Sequence, residues 1–245
     1  MIVAPVDGQL LVVTQNDHAG LAGELLSLWR TDGLPEHPRR RELLFAARQH
    51  DNGWHEADSA PLCRADGRPH DFISVPRELR WEIWHRGTVR YVEREPYAAA
   101  LIVRHALHLH RSHRADPAWT DAFEHWLALA DDLVEQHGLD EAALARDYRW
   151  IDLTDSLSLV LCDRRTERIE AYGFTARATF EEGRGTLAGN ALLVDPFPLA
   201  GATTLSVACR LIPDRAYSGD ADLGTELALA RWRQCAVRVA PSEGV

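Results

Sequence analysis

Lysine is missing from this 245-residue chain: all 27 of its cations are arginines. That excludes a Schiff-base or lysine general-base mechanism and leaves arginine, histidine, backbone amides or a metal to hold any anion. Cysteine is sparse as well. Cys63, Cys162, Cys209 and Cys235 stand far apart and form no CxxC pair, so neither a zinc cluster nor a redox motif is indicated. Cysteines used this way suit a reduced, cytoplasmic setting. No apolar run approaches the roughly 20 residues of a membrane span, and the start MIVAPVDGQ lacks the basic head and apolar centre of a signal peptide. A soluble protein with no membrane partner is expected. Positive charge is in deficit too, and a formal net charge of −10 argues against broad nucleic-acid binding, which needs a basic footprint to neutralise phosphates.

Histidine is what the chain has in excess, with twelve residues, all between His18 and His137. The densest chemistry is the stretch Ala46 to Asp58, AARQHDNGWHEAD. Neighbouring side chains on a helix point about 100° apart, so His50 and Asp51 can serve one centre only where the helix ends and the backbone adjusts. Asn52-Gly53 supplies that ending.

Around this stretch the pattern is mostly helical. Asn16 or Asp17 can cap a helix in which His18, Leu21, Ala22, Leu25, Leu28 and Trp29 recur at three- and four-residue steps, which turns His18 inward. Pro38 opens a second helix whose Leu43, Ala46, Ala47 and His50 share a face. Pro61 to Val75 reads as an irregular excursion. A helix from Pro76 to about Glu95 aligns Trp81, His85, Val89 and Val92. Another from Pro96 aligns Ala98, Leu101, Ile102, His105 and His108, with His110 and His113 as its solvated end. Trp119 to Gly138 is amphipathic without obvious chemistry, and Asp140 to Cys162 places Asp155 on the inward stripe of Leu144, Tyr148, Ile151 and Leu159. A carboxylate there needs a cation or strong donors, because burying it unpaired costs on the order of several kcal/mol.

From Arg164 the period falls to two, in RIEAYGFTARATF, NALLVDPF and TTLSVACRLI, and these segments read as antiparallel strands separated by Gly and Pro clusters. Residues 2 to 14 read as a short hairpin about Asp7-Gly8. The expected fold is mainly α: an all-α core with the N-terminal hairpin over residues 1–163, and a small antiparallel β-rich region over 164–245 packed on it as one unit.

The inward-facing ligand types run His18, then His50-Asp51, then His85, His105 and Asp155. This order resembles the HD superfamily of metal-dependent proteins, whose helical core binds one or two divalent ions. The resemblance implies an HD-like helical core, with His18, His50, Asp51 and Asp155 as metal ligands, and His85 and His105 as the extra histidines of two-metal members. His108 is the substitute for either of these two. The chain is also similar to a bacterial family of unknown function, through Thr14-Gln15-Asn16-Asp17-His18, His50-Asp51-Asn52-Gly53-Trp54 and the segment from Asp155 to Cys162. That similarity covers nearly the whole chain and names no reaction. His55, Glu56 and Asp58 are either outer partners of the ligands or a polar loop. Arg86 and Arg104 are candidates for gripping a small anionic substrate bidentately.

Mixed imidazole and carboxylate ligation suits Fe, Mn, Zn, Ni or Co better than Ca or Mg. With Asp51 as a ligand, such a site fits a phosphohydrolase that acts on a small phosphate ester or nucleotide through metal-activated water. Within the superfamily the same ligand order also serves di-iron oxygenases. A third reading keeps the fold as a non-catalytic binding or assembly module.

Overall fold

The computed structural model describes residues 1–165, 168–180 and 190–242. The Gly-containing stretch 181–189, expected to separate two strands, lies outside the described residues. At the N-terminus Asp7 and Gly8 both take positive φ, 48° and 73°, as a two-residue hairpin turn requires. They join β1 (Ile2–Val6) to β2 (Gln9–Val13).

The hairpin is not a separate piece. Its second strand pairs onward with β6 (Thr203–Pro213), which follows β3 (Arg168–Ala171), β4 (Phe174–Thr179) and β5 (Asn190–Asp195) and precedes β7 (Arg233–Pro241). All seven form one sheet in the order β1-β2-β6-β7-β5-β4-β3. The sheet is mixed, because β5 and β7 are parallel while the other neighbours are antiparallel, and it curls into a half-barrel.

This corrects the mainly α, HD-like expectation of an all-α core with a small β region. Period-two patterning finds strands one at a time and says nothing of their partners. A clue lay in β2, whose QLLVV is apolar on both faces: Leu11 and Val13 enter the main core, while Leu10 and Val12 enter a second cluster on the other side. A strand covered on both faces belongs in a sheet interior.

Among the described residues seven α-helices lie between β2 and β3: α1 (Gln15–Leu28), α2 (Arg40–Gln49), α3 (His55–Ser59), α4 (Arg77–Val89), α5 (Pro96–Leu109), α6 (Thr120–His137) and α7 (Glu141–Asp163). Thr14, rather than Asn16 or Asp17, caps α1, its Oγ1 accepting the Asp17 N–H at 3.0 Å. Pro96 opens α5, Gly138 closes α6 in the left-handed conformation, and Asp140 caps α7 by accepting the Ala142 N–H at 2.9 Å.

Helices α1 and α7 pack on one face of the sheet, and α2 and α5 pack on them in turn. Trp29 at the end of α1 is fully buried and meets Trp150 of α7 and Phe174 of β4 edge to face, which ties helices to sheet. The last helix, α8 (Asp220–Leu229), covers the opposite face with Leu223 and Leu227 against Leu10, Val12 and Ile212.

Candidate metal centre

The histidine and aspartate side chains meet where α1, α2, α5 and α7 come together. His18 sits in the first turn of α1, and His105 and Asp155 lie on inward faces of α5 and α7. His50 keeps helical angles at the end of α2 (φ −58°, ψ −33°), and Asp51 leaves the helix (φ −104°, ψ 20°). That change of direction brings two adjacent side chains to one place. It is held by Asn52, whose Nδ2 donates to the Gln49 and Gly87 carbonyls at 2.8 and 3.0 Å and so fastens the end of α2 to α4.

All five residues are buried, none more than 8% exposed. His18 Nε2 lies 2.9 Å from Asp155 Oδ1 and 3.6 Å from Asp51 Oδ2. His50 Nε2 lies 3.3 Å from the same Asp155 oxygen and 3.5 Å from the same Asp51 oxygen. The two Nε2 atoms are 3.3 Å apart, and His105 Nε2 is 3.8 Å from Asp155 Oδ2.

Hydrogen bonds on the far side of each ring decide where its lone pair points. His50 Nδ1 donates to the Ala47 carbonyl at 2.8 Å. The Ser158 hydroxyl donates to the Asp155 carbonyl at 2.9 Å, so its oxygen accepts from His18 Nδ1, also at 2.9 Å. His105 Nδ1 lies 2.9 Å from the Tyr148 hydroxyl, which donates towards Asp152 at 3.5 Å. All three Nε2 lone pairs therefore face the carboxylates, in the arrangement that outer partners impose on metal-binding histidines.

These residues fit a divalent ion. His105 Nε2 is buried with no hydrogen-bond partner, and neutral His18 and His50 would oppose two lone pairs beside two carboxylates. Ligand bonds of 2.0 to 2.2 Å at tetrahedral or octahedral angles put neighbouring donor atoms about 2.8 to 3.6 Å apart, which spans the closest separations here. Two triads gather candidate donor atoms within 4.8 Å of one another, His18-His50-Asp51 and His50-His105-Asp155.

Without an ion a proton takes the cation's place. Burial opposes charging of His50, but Asp51 and Asp155 outweigh it and hold the ring's pKa well above the ordinary value. Burial would likewise raise the Asp155 pKa, and His50 with the other rings holds it well below the usual carboxylate range. Burial pushes the neighbouring rings the other way, taking both His105 and His110 down to about 4.

A testable pH dependence follows. Unfolded imidazoles bind a proton near 6.5, so below that pH the unfolded chain gains protons at positions 105 and 110 that the folded protein refuses until about 4. Stability should fall as pH drops from 6 to 4.5, by up to about 2 kcal/mol per ring. The contribution of His50, with its raised pKa, is fully present below 6.5 and is lost only as pH rises through its folded value. Denaturant midpoints across this range should fall less steeply for His110→Gln than for the wild type; equal slopes would place the proton uptake elsewhere.

Three of the candidate residues stand apart from the centre. His85 is exposed on α4, its Nδ1 3.1 Å from His125 Nε2. Arg86 donates to the Gly53 carbonyl at 3.0 Å and pairs with Glu56 at 3.0 Å. Arg104 pairs with Glu141. The reason is helix phase: the inward residues of α4 are Ile83, Trp84, Gly87 and Thr88, and Trp84 occupies the place expected of His85, its ring 5.8 Å from that of His105. His108 is partly exposed and reaches Asp152 at 3.4 Å. His55 is exposed, Glu56 pairs with Arg86 and Arg90, and Asp58 accepts the Gln15 N–H at 2.6 Å and pairs with the Met1 ammonium.

Other residues at the site were not foreseen. His110, expected at a solvated helix end, is 4% exposed with Nδ1 donating to the Ala106 carbonyl at 2.8 Å. Ser158 shares the Asp155 face one turn on, a spacing visible in the sequence. From the centre a cavity of about 210 Å³ opens outward past Trp54, Trp84, His110 and Arg80.

The chain belongs to the family described as "Protein of unknown function (DUF3891)", whose family model matches residues 1–214. No curated protein and no solved structure matches it.

Proposed function

We propose that this protein is a metal-dependent phosphohydrolase acting on a small phosphate ester. The observation that carries the reading is the convergence of three imidazole lone pairs and two carboxylates in a buried pocket that opens into a cavity. Of the candidate metals Fe, Mn, Zn, Ni and Co, whichever binds supplies Lewis acidity and a water of lowered pKa. Asp51 and Asp155 provide the negative charge that holds a cation, and His18, His50 and His105 complete the donor set. Ser158, the Ala47 carbonyl and Tyr148 fix the three rings so that little reorganisation is needed on binding. Trp54 and Trp84 keep the inner cavity apolar, which strengthens electrostatic contacts inside it.

The resemblance of the ligand order to the HD superfamily supports this reading at the level of the centre alone, since the fold carries a seven-stranded sheet. Protein loaded with Mn, Co or Ni should release phosphate from at least one member of a phosphomonoester panel, and Asp51→Ala should abolish the release. Oxygen uptake by iron-loaded protein that is inert to every ester would move the assignment to a di-iron oxygenase. Failure to retain any metal would leave a binding or assembly role.

A further inference from the structure

We infer that Arg80 is the anion anchor of this cavity, and that its ligand is a small phosphoryl or phosphonate compound with an apolar body. The inference rests on the metal-centre reading above and names the kind of molecule the site takes.

The arginines around the site differ in how they are engaged. Arg86 and Arg90 share Glu56, Arg104 has Glu141, and Arg165 has Asp71 and Asp163. Arg80, on the first turns of α4, lines the cavity together with His105 and Asp155, and no carboxylate lies within ion-pair distance of it among the described residues. Its Nη2 donates to the carbonyls of Ile73 and Val75, which fixes the plane of the guanidinium. Its Nε is buried without a partner. Burial lowers its pKa, opposed only by the more distant charge of Asp71.

This guanidinium is only half-buried, is held in place by two carbonyls, and has no acidic partner among the described residues, so a planar or tetrahedral oxyanion in the cavity can accept from it in a charge-assisted pair.

The rest of the cavity limits what the anion can be attached to. Trp54, Phe72, Trp84, Leu109 and Leu159 make its walls apolar. Gln15, 4% exposed, lines the same space with a buried Oε1 that has no partner, an acceptor for one ligand hydroxyl or amine. At about 210 Å³ the cavity falls below the roughly 300 Å³ at which pockets begin to take drug-sized ligands, so its apolar walls suit an aryl or short alkyl phosphate better than a nucleotide or cyclic dinucleotide.

Calorimetric titration with benzylphosphonate, which carries a phosphoryl-type head that cannot be hydrolysed, separates this inference from the assignment of activity. The Mn-loaded wild type should bind it more tightly than methylphosphonate, and adenosine monophosphate should not compete. Arg80→Gln should weaken binding at least tenfold with Mn affinity unchanged, while Arg104→Gln binds as the wild type does. Arg80→Lys, which keeps the charge and loses the fork, should be weakened to an intermediate degree and guards against misfolding of the glutamine variant.

Equal binding by Arg80→Gln and wild type, no binding by wild type, or binding of adenosine monophosphate as tight as that of benzylphosphonate would overturn the inference. Arg80-dependent binding by a protein that hydrolyses no ester would overturn the hydrolase reading and leave the anchor standing. Hydrolysis undiminished in Arg80→Gln would do the reverse.

Discussion

Divalent metal should raise the melting temperature of the wild-type protein and leave that of Asp155→Ala where it was. A ligand that binds only the folded state stabilises it by about 2.7 kcal/mol at a hundred times its dissociation constant. For a chain of this length that is a rise of roughly 5 to 10 °C. Asp155 is the hub of the donor set, with Oδ1 serving His18 and His50 and Oδ2 facing His105. Its loss also leaves the charged His50 ring to Asp51 alone, so the variant should be less stable by about 3 kcal/mol even without metal, the usual penalty for removing one partner of a buried pair. Asp155→Asn keeps the shape and removes the charge, and should likewise show no metal response. If Mn, Fe, Co, Ni and Zn all leave the wild type unmoved, the centre is not a metal site; if they move wild type and variant alike, any ion is held by the His18-His50-Asp51 triad, which lacks Asp155.

The second large effect should come from a glycine. A Cβ added at Gly53 would stand 2.1 Å from the Ile83 carbonyl oxygen and 3.0 Å from Gly87 Cα, and backbone atoms cannot swing aside as a side-chain end can. Gly53→Ala should therefore cost more than the ~3 kcal/mol at the upper end of ordinary overpacking. It should also weaken metal binding, since the turn it displaces begins at Asp51. The control is Gly20, inside α1, where a Cβ meets nothing within 4 Å and alanine should add about 0.5 to 1 kcal/mol through helix propensity alone. Chemical denaturation of both variants, with and without metal, measures the contrast. A Gly53→Ala protein as stable as the wild type would mean that the two backbones are not held at this distance.

The centre was legible in the sequence where helical phase was unambiguous. His18 and Asp155 each lie on a long apolar stripe, and the His50-Asp51 pair is followed by residues that end a helix. His85 was misplaced because the inward face of α4 is marked by Gly87, a residue without hydrophobic signal, whose role is to let α4 approach Gly53. Arg80 was missed because its significance lies in the lack of an acidic neighbour, which only three-dimensional packing displays. His110 was read as solvated because the aromatic cover it receives comes from Trp84, Trp119 and Trp126 on other elements. The strands were visible by alternation, but their joining into a single sheet depends on pairings across most of the chain.

That pairing bears on how the protein comes to exist. β2 is followed almost at once by α1 and His18, yet its second edge is completed by β6, with Val12 opposite Arg210. A chain emerging from the ribosome makes the histidines of the centre early and the strand that seats the first of them late. Contacts so distant in sequence form slowly, and until they form the apolar faces of β2 and α1 stay open to wrong partners. The nascent helical segment is therefore the stage most exposed to aggregation, and a fragment ending near Asp163 would retain the ligands without the sheet that holds α1 in place.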